Sequence, residues 1–248
     1  MITIKLTKKA ELKGSILIEG FPGAGLVGPM SISYIVEKKK LDYIGYITGD
    51  SLPPLVSIHG GVPMPSIRIY HSKKQNFVCI LAEFALPPDA TYEVSEKIVS
   101  FIESNGISEV ISVGGMPIRE GDEKYLDSVF YITSSKELSE RAQKAGIKPV
   151  TEGISTGVSA LIMLRSEQEG IDNLNLLIPV RDGITDPKYA ELAIEAIKDF
   201  IKLDIDTTEL AKEAKIVESR VNEIINKSKQ AHQVYKSDSE QAGPSMYA

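Results

Sequence analysis

Basic residues are in the minority in this chain, cysteine is nearly absent and histidine is scarce. Lys and Arg number 28 against 34 Asp and Glu, for a formal net charge of −6. A nucleic-acid-binding surface ordinarily carries a basic excess, so the balance argues against that class of partner. The single cysteine, Cys79, sits in the apolar run Phe77-Val-Cys-Ile-Leu81. It has no partner for a disulfide within the chain and reads as a buried core thiol. Three histidines (His59, His71 and His232) and that one cysteine show no metal-ligand spacing, so no metal site is expected. No apolar run reaches the roughly 18 residues of a membrane-spanning helix. The start, Met1-Ile-Thr-Ile-Lys-Leu6, lacks the apolar core of a signal peptide. A cytoplasmic protein with no membrane partner is expected.

A 42% hydrophobic and 25% charged composition is that of a globular chain. Ser15–Glu19 reads as a strand, followed by a glycine-rich loop and an apolar helix from about Leu26 to Lys38. Tyr43–Ile47, Ser66–Tyr70, Phe77–Ala82, Glu109–Val113, Ser128–Thr133 and Asn175–Pro179 read as further strands. Pro88 and Asp89 introduce a helix that ends near Asn105-Gly106. Ser134 or Ser135 caps a short helix to Ala145, and another helix runs from about Gly157 to Glu169. Pro187 opens an amphipathic helix to about Leu203, with Ala190, Ala193, Ile194, Ile197 and Ile201 on one face. Apolar strands alternating with helices predict an α/β three-layer sandwich around a mainly parallel sheet. Residues 1–205 would form this core, 206–236 a helical extension and 237–248 a flexible tail.

Two motifs suggest chemistry. Gly23-Ala-Gly25-Leu-Val-Gly28 is a G-x-G-x-x-G between a strand and a helix, the pattern that lets backbone approach a pyrophosphate. Asp50 follows at the spacing of a ribose ligand. Against a nucleotide site stand Pro29, which removes an amide donor from the first helical turn, and the Pro-rich stretch after Asp50, where the second βαβ unit should be. A tight strand–helix turn is the plainer reading. Gly153-Ile-Ser155-Thr-Gly157 is a G-x-S-x-G, and His59-Gly60-Gly61 resembles an oxyanion-hole loop. Asp182 or Asp186 could supply an acid, but the only later histidine is His232, in a polar stretch near the end. A base there would be poorly held, and Ser155 or Thr156 is read instead as a helix cap. The loop through Arg119, Glu120 and Asp122 follows a strand end where α/β proteins often bind ligands. No catalytic residue and no cofactor is assigned.

The C-terminal segment has a different character. Asp206 is a plausible N-cap for a helix of about 29 residues, Thr207 to Tyr235, about 43 Å long. Leu210, Ala214, Val217, Val221, Ile224, Ser228, Ala231 and Tyr235 recur at heptad spacing. This seam can pack on the chain's own domain or against other subunits. Ser237–Ser245 contains no large apolar residue and reads as disordered. The sequence then closes with Met246-Tyr247-Ala248. An apolar side chain, a phenol and a carboxylate together suit a pocket carrying a cation.

Gly20-Phe-Pro-Gly-Ala-Gly-Leu-Val-Gly28, Asp50 with Pro53-Pro54, Gly60-Gly61 before Pro65-Ser-Ile-Arg-Ile-Tyr70, Val110-Ile-Ser-Val-Gly-Gly115 and Gly153–Ile171 together resemble the proteasome assembly chaperone 2 (PAC2) family, close to its archaeal PbaA/PbaB type. The likeness runs over most of residues 15–225 and is carried by turns and packing glycines. Where family members more often show a glycine pair, this chain has Glu152-Gly153. The resemblance implies a fold like nucleoside phosphorylases and peptidyl-tRNA hydrolases without their catalytic residues, and homo-oligomers of tetramer or pentamer type. It also implies that a hydrophobic–Tyr–X terminus, here Met246, Tyr247 and Ala248, docks between α-subunits of the 20S proteasome. The expected function is a non-catalytic proteasome-binding factor, an assembly chaperone or activator-like adaptor. The alternative is a nucleotide- or nucleoside-binding protein or enzyme using the Gly23–Gly28 loop.

Overall fold

The computed structural model describes residues 1–210 and Ser219. Eleven strands and five helices follow in chain order: β1 (Ile2–Leu6), β2 (Ile16–Gly20), α1 (Val27–Lys39), β3 (Asp42–Gly49), β4 (Val56–His59), β5 (Val62–Pro65), β6 (Ile67–Ser72), β7 (Phe77–Ala82), α2 (Pro88–Asn105), β8 (Glu109–Pro117), β9 (Phe130–Ile132), α3 (Lys136–Lys144), β10 (Lys148–Pro149), α4 (Val158–Glu169), β11 (Asp172–Val180) and α5 (Pro187–Ile201). Nine strands form one sheet in the order β1-β3-β6-β7-β2-β8-β11-β9-β10, and β4 and β5 form a separate hairpin. The centre, β7-β2-β8-β11, is parallel. The flank β1-β3-β6 is antiparallel and joins β7 antiparallel.

Alternation along the central strands divides the core in two. Ile18, Cys79, Leu81, Ile111, Val113, Leu174 and Leu176 face α1 and α5, together with Leu138 and Ala142 of α3. Leu17, Val78, Ile80 and Val110 face α2 and α4. Both faces of the sheet are therefore covered, and the expected three-layer α/β sandwich is what the chain forms. Besides the centre only the short edge pair β9–β10 is parallel, and β9 joins β11 antiparallel. The elements that make the flank antiparallel, β1 and the tight β6–β7 connection, do not read as an α/β repeat.

Local signals placed most helix ends. Gly106 takes a left-handed φ of +62° and its amide closes the end of α2, which a residue with a Cβ would do only under strain. Ser135 caps α3 by accepting from the Leu138 amide. Pro187 occupies the first turn of α5, and Asp186 accepts from the Lys188 amide at 2.9 Å. Asp206 accepts from the Thr208 amide at 2.9 Å, as an N-cap would. The helix expected over Thr207–Tyr235 lies outside the described residues beyond Leu210, as does the tail. Leu210, the first residue of the proposed seam, is buried in the α1–α5 core. The chain leading to it is tied to α1 by Tyr34 Oη, which donates to the Asp206 carbonyl at 2.8 Å, and by Lys39 Nζ, which donates to the Asp204 carbonyl at 2.6 Å.

The hairpin β4–β5 turns through Gly60 and Gly61, both at positive φ (+57° and +81°), the backbone of a two-residue primed turn. His59-Gly60-Gly61 is therefore a hairpin end. Its His59 Nε2 lies 3.1 Å from Glu83. Glu83 also receives the buried Arg68 guanidinium through two contacts of 2.7 and 2.8 Å, and Arg68 Nε donates to Tyr70 Oη. Burial pushes the Glu83 carboxyl upward, but hydrogen bonds from His59 and Arg68 and the Arg68 charge outweigh it and hold the pKa at about 2, below the ordinary 4.5.

Removing one partner strands a buried charge, which costs about 3–5 kcal/mol. Glu83→Leu is expected to lose that much stability in denaturant titration, and Glu83→Leu with Arg68→Met to recover most of it. Because folding lowers the Glu83 pKa, its contribution is complete above about pH 4.5 and vanishes as the pH falls toward 2. Acid unfolding of the wild type should therefore be steeper over that window than that of the double variant.

Candidate functional site

The chain leaves β2 through α1 toward the antiparallel flank, whereas it leaves β8 toward β11 on the other side. The point between β2 and β8 is thus a topological switch, where open α/β sheets form a crevice at the carboxyl ends of their strands. A cleft of about 600 Å³ lies there, walled by Phe21–Ala24, Val113–Pro117 and Val150–Ser159, with Ile132, Met163, Asn175 and Leu177.

The glycine-rich segment shapes this cleft mainly by packing. A Cβ on Gly28 would come within 2.7 Å of the Val113 carbonyl oxygen and 2.8 Å of the Gly20 Cα. One on Gly115 would run into the Ala24 carbonyl oxygen. Gly25 sits at φ +64°, and a Cβ there would meet Val180 Cγ1 at 2.8 Å. These contacts hold the first turn of α1 against β2 and β8. Gly23 is different: its backbone is extended, φ −152°, with open space where a Cβ would be. Pro29 occupies the first turn of α1, where a missing amide hydrogen costs no helical bond.

The second motif, Gly153–Gly157, lines the opposite wall. The cap of α4 is Gly157 at φ +87°, with no side-chain cap bond, so the expectation that Ser155 or Thr156 caps this helix is corrected. Left-handed backbone at Gly157 displaces both hydroxyl residues from the capping position. Among the described residues no triad assembles around Ser155: His59 is paired with Glu83 and Asp186 caps α5, while His232, the histidine weighed as a base, lies outside the described residues. Asp50 is exposed, faces the N-terminal ammonium at 3.4 Å and does not line the cleft. Arg119 and Asp122 lie in a separate shallow depression with Tyr125, Phe130 and Lys148. Among the described residues no three His, Cys, Asp or Glu side chains converge to hold a metal ion, and no helix is long and apolar enough to cross a membrane.

What the motifs did not indicate is a polar row under the cleft. Glu19 of β2 is in register with Ser112 of β8, and Ser112 with Asn175 of β11. All three are buried, as is Asn173 one step down the strand, whose Nδ2 donates to Ser112 Oγ at 3.5 Å. Both Glu19 oxygens, Asn175 Oδ1 and Asn173 Oδ1 have no hydrogen-bond partner. The Ser159 and Ser112 hydroxyls and the Phe21 amide lie near Glu19, but none meets hydrogen-bond geometry. Burial drives the Glu19 pKa up to about 7, with those neighbours drawing it part-way back. The signal in the sequence is a polar residue inside each apolar strand: Ile16-Leu-Ile-Glu19, Ile111-Ser-Val113 and Leu174-Asn-Leu176.

With this geometry in view, comparison with known proteins is informative. The PAC2 family model matches residues 17–225. This chain belongs to the PAC2 family. The crystal structure of Pyrococcus furiosus PbaA, an archaeal homolog of proteasome-assembly chaperone, superposes with a TM-score of 0.81 at 27% identity, covering 94% of this PAC2 chain and 100% of PbaA. Pyrococcus furiosus PbaB, an archaeal proteasome activator, shares the fold at a TM-score of 0.74 and 21% identity, over 90% of this chain and 98% of PbaB. The uncharacterized protein MJ0106 of Methanocaldococcus jannaschii is 27% identical over 224 residues, 90% of this chain and 91% of its own length.

An acid whose pKa rises on folding binds more protons folded than unfolded, so it opposes stability above its unfolded pKa. Wild-type stability should accordingly fall between about pH 4.5 and pH 7 relative to Glu19→Gln, by about 3 kcal/mol in total. Chemical denaturation of the two proteins at pH 4.5 and pH 8 checks this, and parallel pH profiles would refute it.

Proposed function

We propose that this PAC2 protein is a non-catalytic proteasome-binding factor, an assembly chaperone or activator-like adaptor that works as a homo-oligomer in the cytoplasm. The observation that carries the reading is the family match over residues 17–225 together with the near-complete superposition on PbaA. PbaA is described as a homolog of proteasome-assembly chaperone, and PbaB, with the same fold, as a proteasome activator. The packing roles of Gly25, Gly28 and Gly115 favour this reading over a nucleotide enzyme built on the Gly23–Gly28 loop.

The docking element is Met246-Tyr247-Ala248. Met246 and the Tyr247 ring bury in a pocket between 20S α-subunits, and the Ala248 carboxylate pairs with a cation there. The polar stretch Ser237–Ser245 reaches at most about 30 Å. Each tail binds weakly, and several tails on one tetramer or pentamer raise the effective concentration of the rest. A flexible leash lets that oligomer engage a ring of different symmetry. Self-association is supported by hairpin β4–β5, which exposes Val56, Ile58 and Val62. A two-stranded ribbon with exposed apolar residues is marginal alone, and a second copy of this chain would cover Val56 and Ile58, which share one face.

Deleting Met246–Ala248 is expected to abolish retention on immobilised archaeal 20S proteasome while leaving the circular dichroism spectrum and oligomer mass unchanged. Undiminished retention of the truncated protein would refute the tail mechanism.

A further inference from the structure

The row Glu19–Ser112–Asn175 is an unusual thing to build into the middle of a parallel sheet. A structural polar row pairs its members with one another, as Asn173 and Ser112 do at 3.5 Å. Glu19 and Asn175 are 0% and 1% exposed, yet their acceptor oxygens are unpartnered. Leaving such groups unsatisfied costs about 1–3 kcal/mol each. Asn175 lines the cleft directly, as does Ser159, which lies against Glu19.

The chemistry of the floor selects the ligand. Its unsatisfied atoms are all oxygens, two of them the Glu19 carboxyl oxygens, so the complementary group carries N–H donors and positive charge. Spacing adds a constraint. Glu19 and Asn175 are separated by two strand spacings, about 10 Å between backbones, with only the small Ser112 between them. Asn175 and Ser159 line the cleft, whereas Glu19 and Ser112 are fully buried beneath that lining, with Ser159 against Glu19. Above the floor one part of the wall is apolar, with Phe21, Val113, Ile132, Met163 and Leu177, and the loop opposite adds Thr151, Glu152, Ser155 and Thr156. The uncapped first turn of α4 reaches the rim beside Ser155 and Thr156 and suits an acceptor on the outer part of a ligand. It does not decide the deep contact, where desolvation makes the carboxyl group dominant.

We propose that the cleft at the β2–β8 switch point binds a small organic cation, an amine, amidine or guanidine on an apolar body, with an N–H donor on Asn175 and its positive charge set over the Glu19 carboxyl beneath the lining. The site is independent of the C-terminal tail, so its failure would leave the proteasome-binding reading untouched.

Calorimetric titration and ¹H–¹⁵N chemical-shift mapping of the full chain test this with benzamidine, phenylguanidine and phenethylamine as cations, benzamide as a neutral isostere and benzoate as an anion. At least one cation should bind more tightly than benzamide, and benzamide more tightly than benzoate, with shifts concentrated at Phe21, Gly114 and Ser159. Glu19→Gln, which keeps the shape and removes the charge, should weaken that cation by about tenfold or more. Asn175→Leu should do likewise. Circular dichroism of both variants establishes that they fold, and the benzamide titration serves as a second check because its affinity should change little in Glu19→Gln. Binding of none of the cations, tighter binding of benzoate, or cation affinity unchanged in both variants would each overturn the proposal.

Discussion

The first turn of α1 lies on the sheet with backbone against backbone, and the rest of the architecture depends on that contact. Gly20 of β2 and Gly28 of α1 meet, and Gly115 of β8 meets the Ala24 carbonyl just before α1, at distances no Cβ could share. The approach brings Phe21–Ala24 over the strand ends and places the start of α1 directly above β8. Val27, Met30, Ile32, Ile35 and Val36 then fall into one core with the inner face of α5. Each fully buried side chain of that size is worth about 1.5–3 kcal/mol, so a small displacement of α1 would put many of these contacts at risk together. A segment that reads as a phosphate cradle is therefore largely a packing device, and only Gly23 is spatially free.

The same contact defines the cleft. With α1 held close, the strand ends and the Gly153–Gly157 loop enclose a space lined by Asn175 above the buried polar row, by apolar side chains and by the polar loop Thr151–Thr156. The stability cost of a buried Glu19, about 3 kcal/mol at neutral pH, is similar to the gain from burying one Leu, so a core of this size can carry it. The proposed docking of the tail and the proposed occupancy of this cleft draw on separate residues of the chain. The terminal Met-Tyr-Ala follows a stretch, Ser237–Ser245, without large apolar residues.

Much of the architecture was legible because apolar runs, proline helix starts and glycine helix ends act locally. Phe77–Ala82 was placed to the residue and Pro88–Asn105 nearly so. The antiparallel half was not. Ile2–Leu6 alternates Ile, Thr, Ile, Lys, Leu and reads as an unpaired terminus until β3 is placed beside it. Val62-Pro-Met-Pro65 carries two prolines and reads as loop, yet it pairs as an edge strand with Val56–His59, a position where missing amides are tolerated. The site was legible in outline, since the glycine-rich turn, the Gly114-Gly115 strand end and the G-x-S-x-G loop all converge on it. Its floor was not, because one polar residue in an apolar strand does not reveal its neighbours until register aligns Glu19, Ser112 and Asn175. The PAC2 likeness was legible in turn and packing glycines, and Gly20, Gly28 and Gly115 do serve close backbone approaches here.

The most direct test of the packing account compares Gly28→Ala with Gly23→Ala by denaturant unfolding. If the glycines serve the close approach of α1, Gly28→Ala lowers stability by an amount typical of overpacking, about 1–3 kcal/mol or more, while Gly23→Ala leaves it within about 0.5 kcal/mol. A stable Gly28→Ala beside a crippled Gly23→Ala would contradict it, and would return the segment to the role of a ligand cradle.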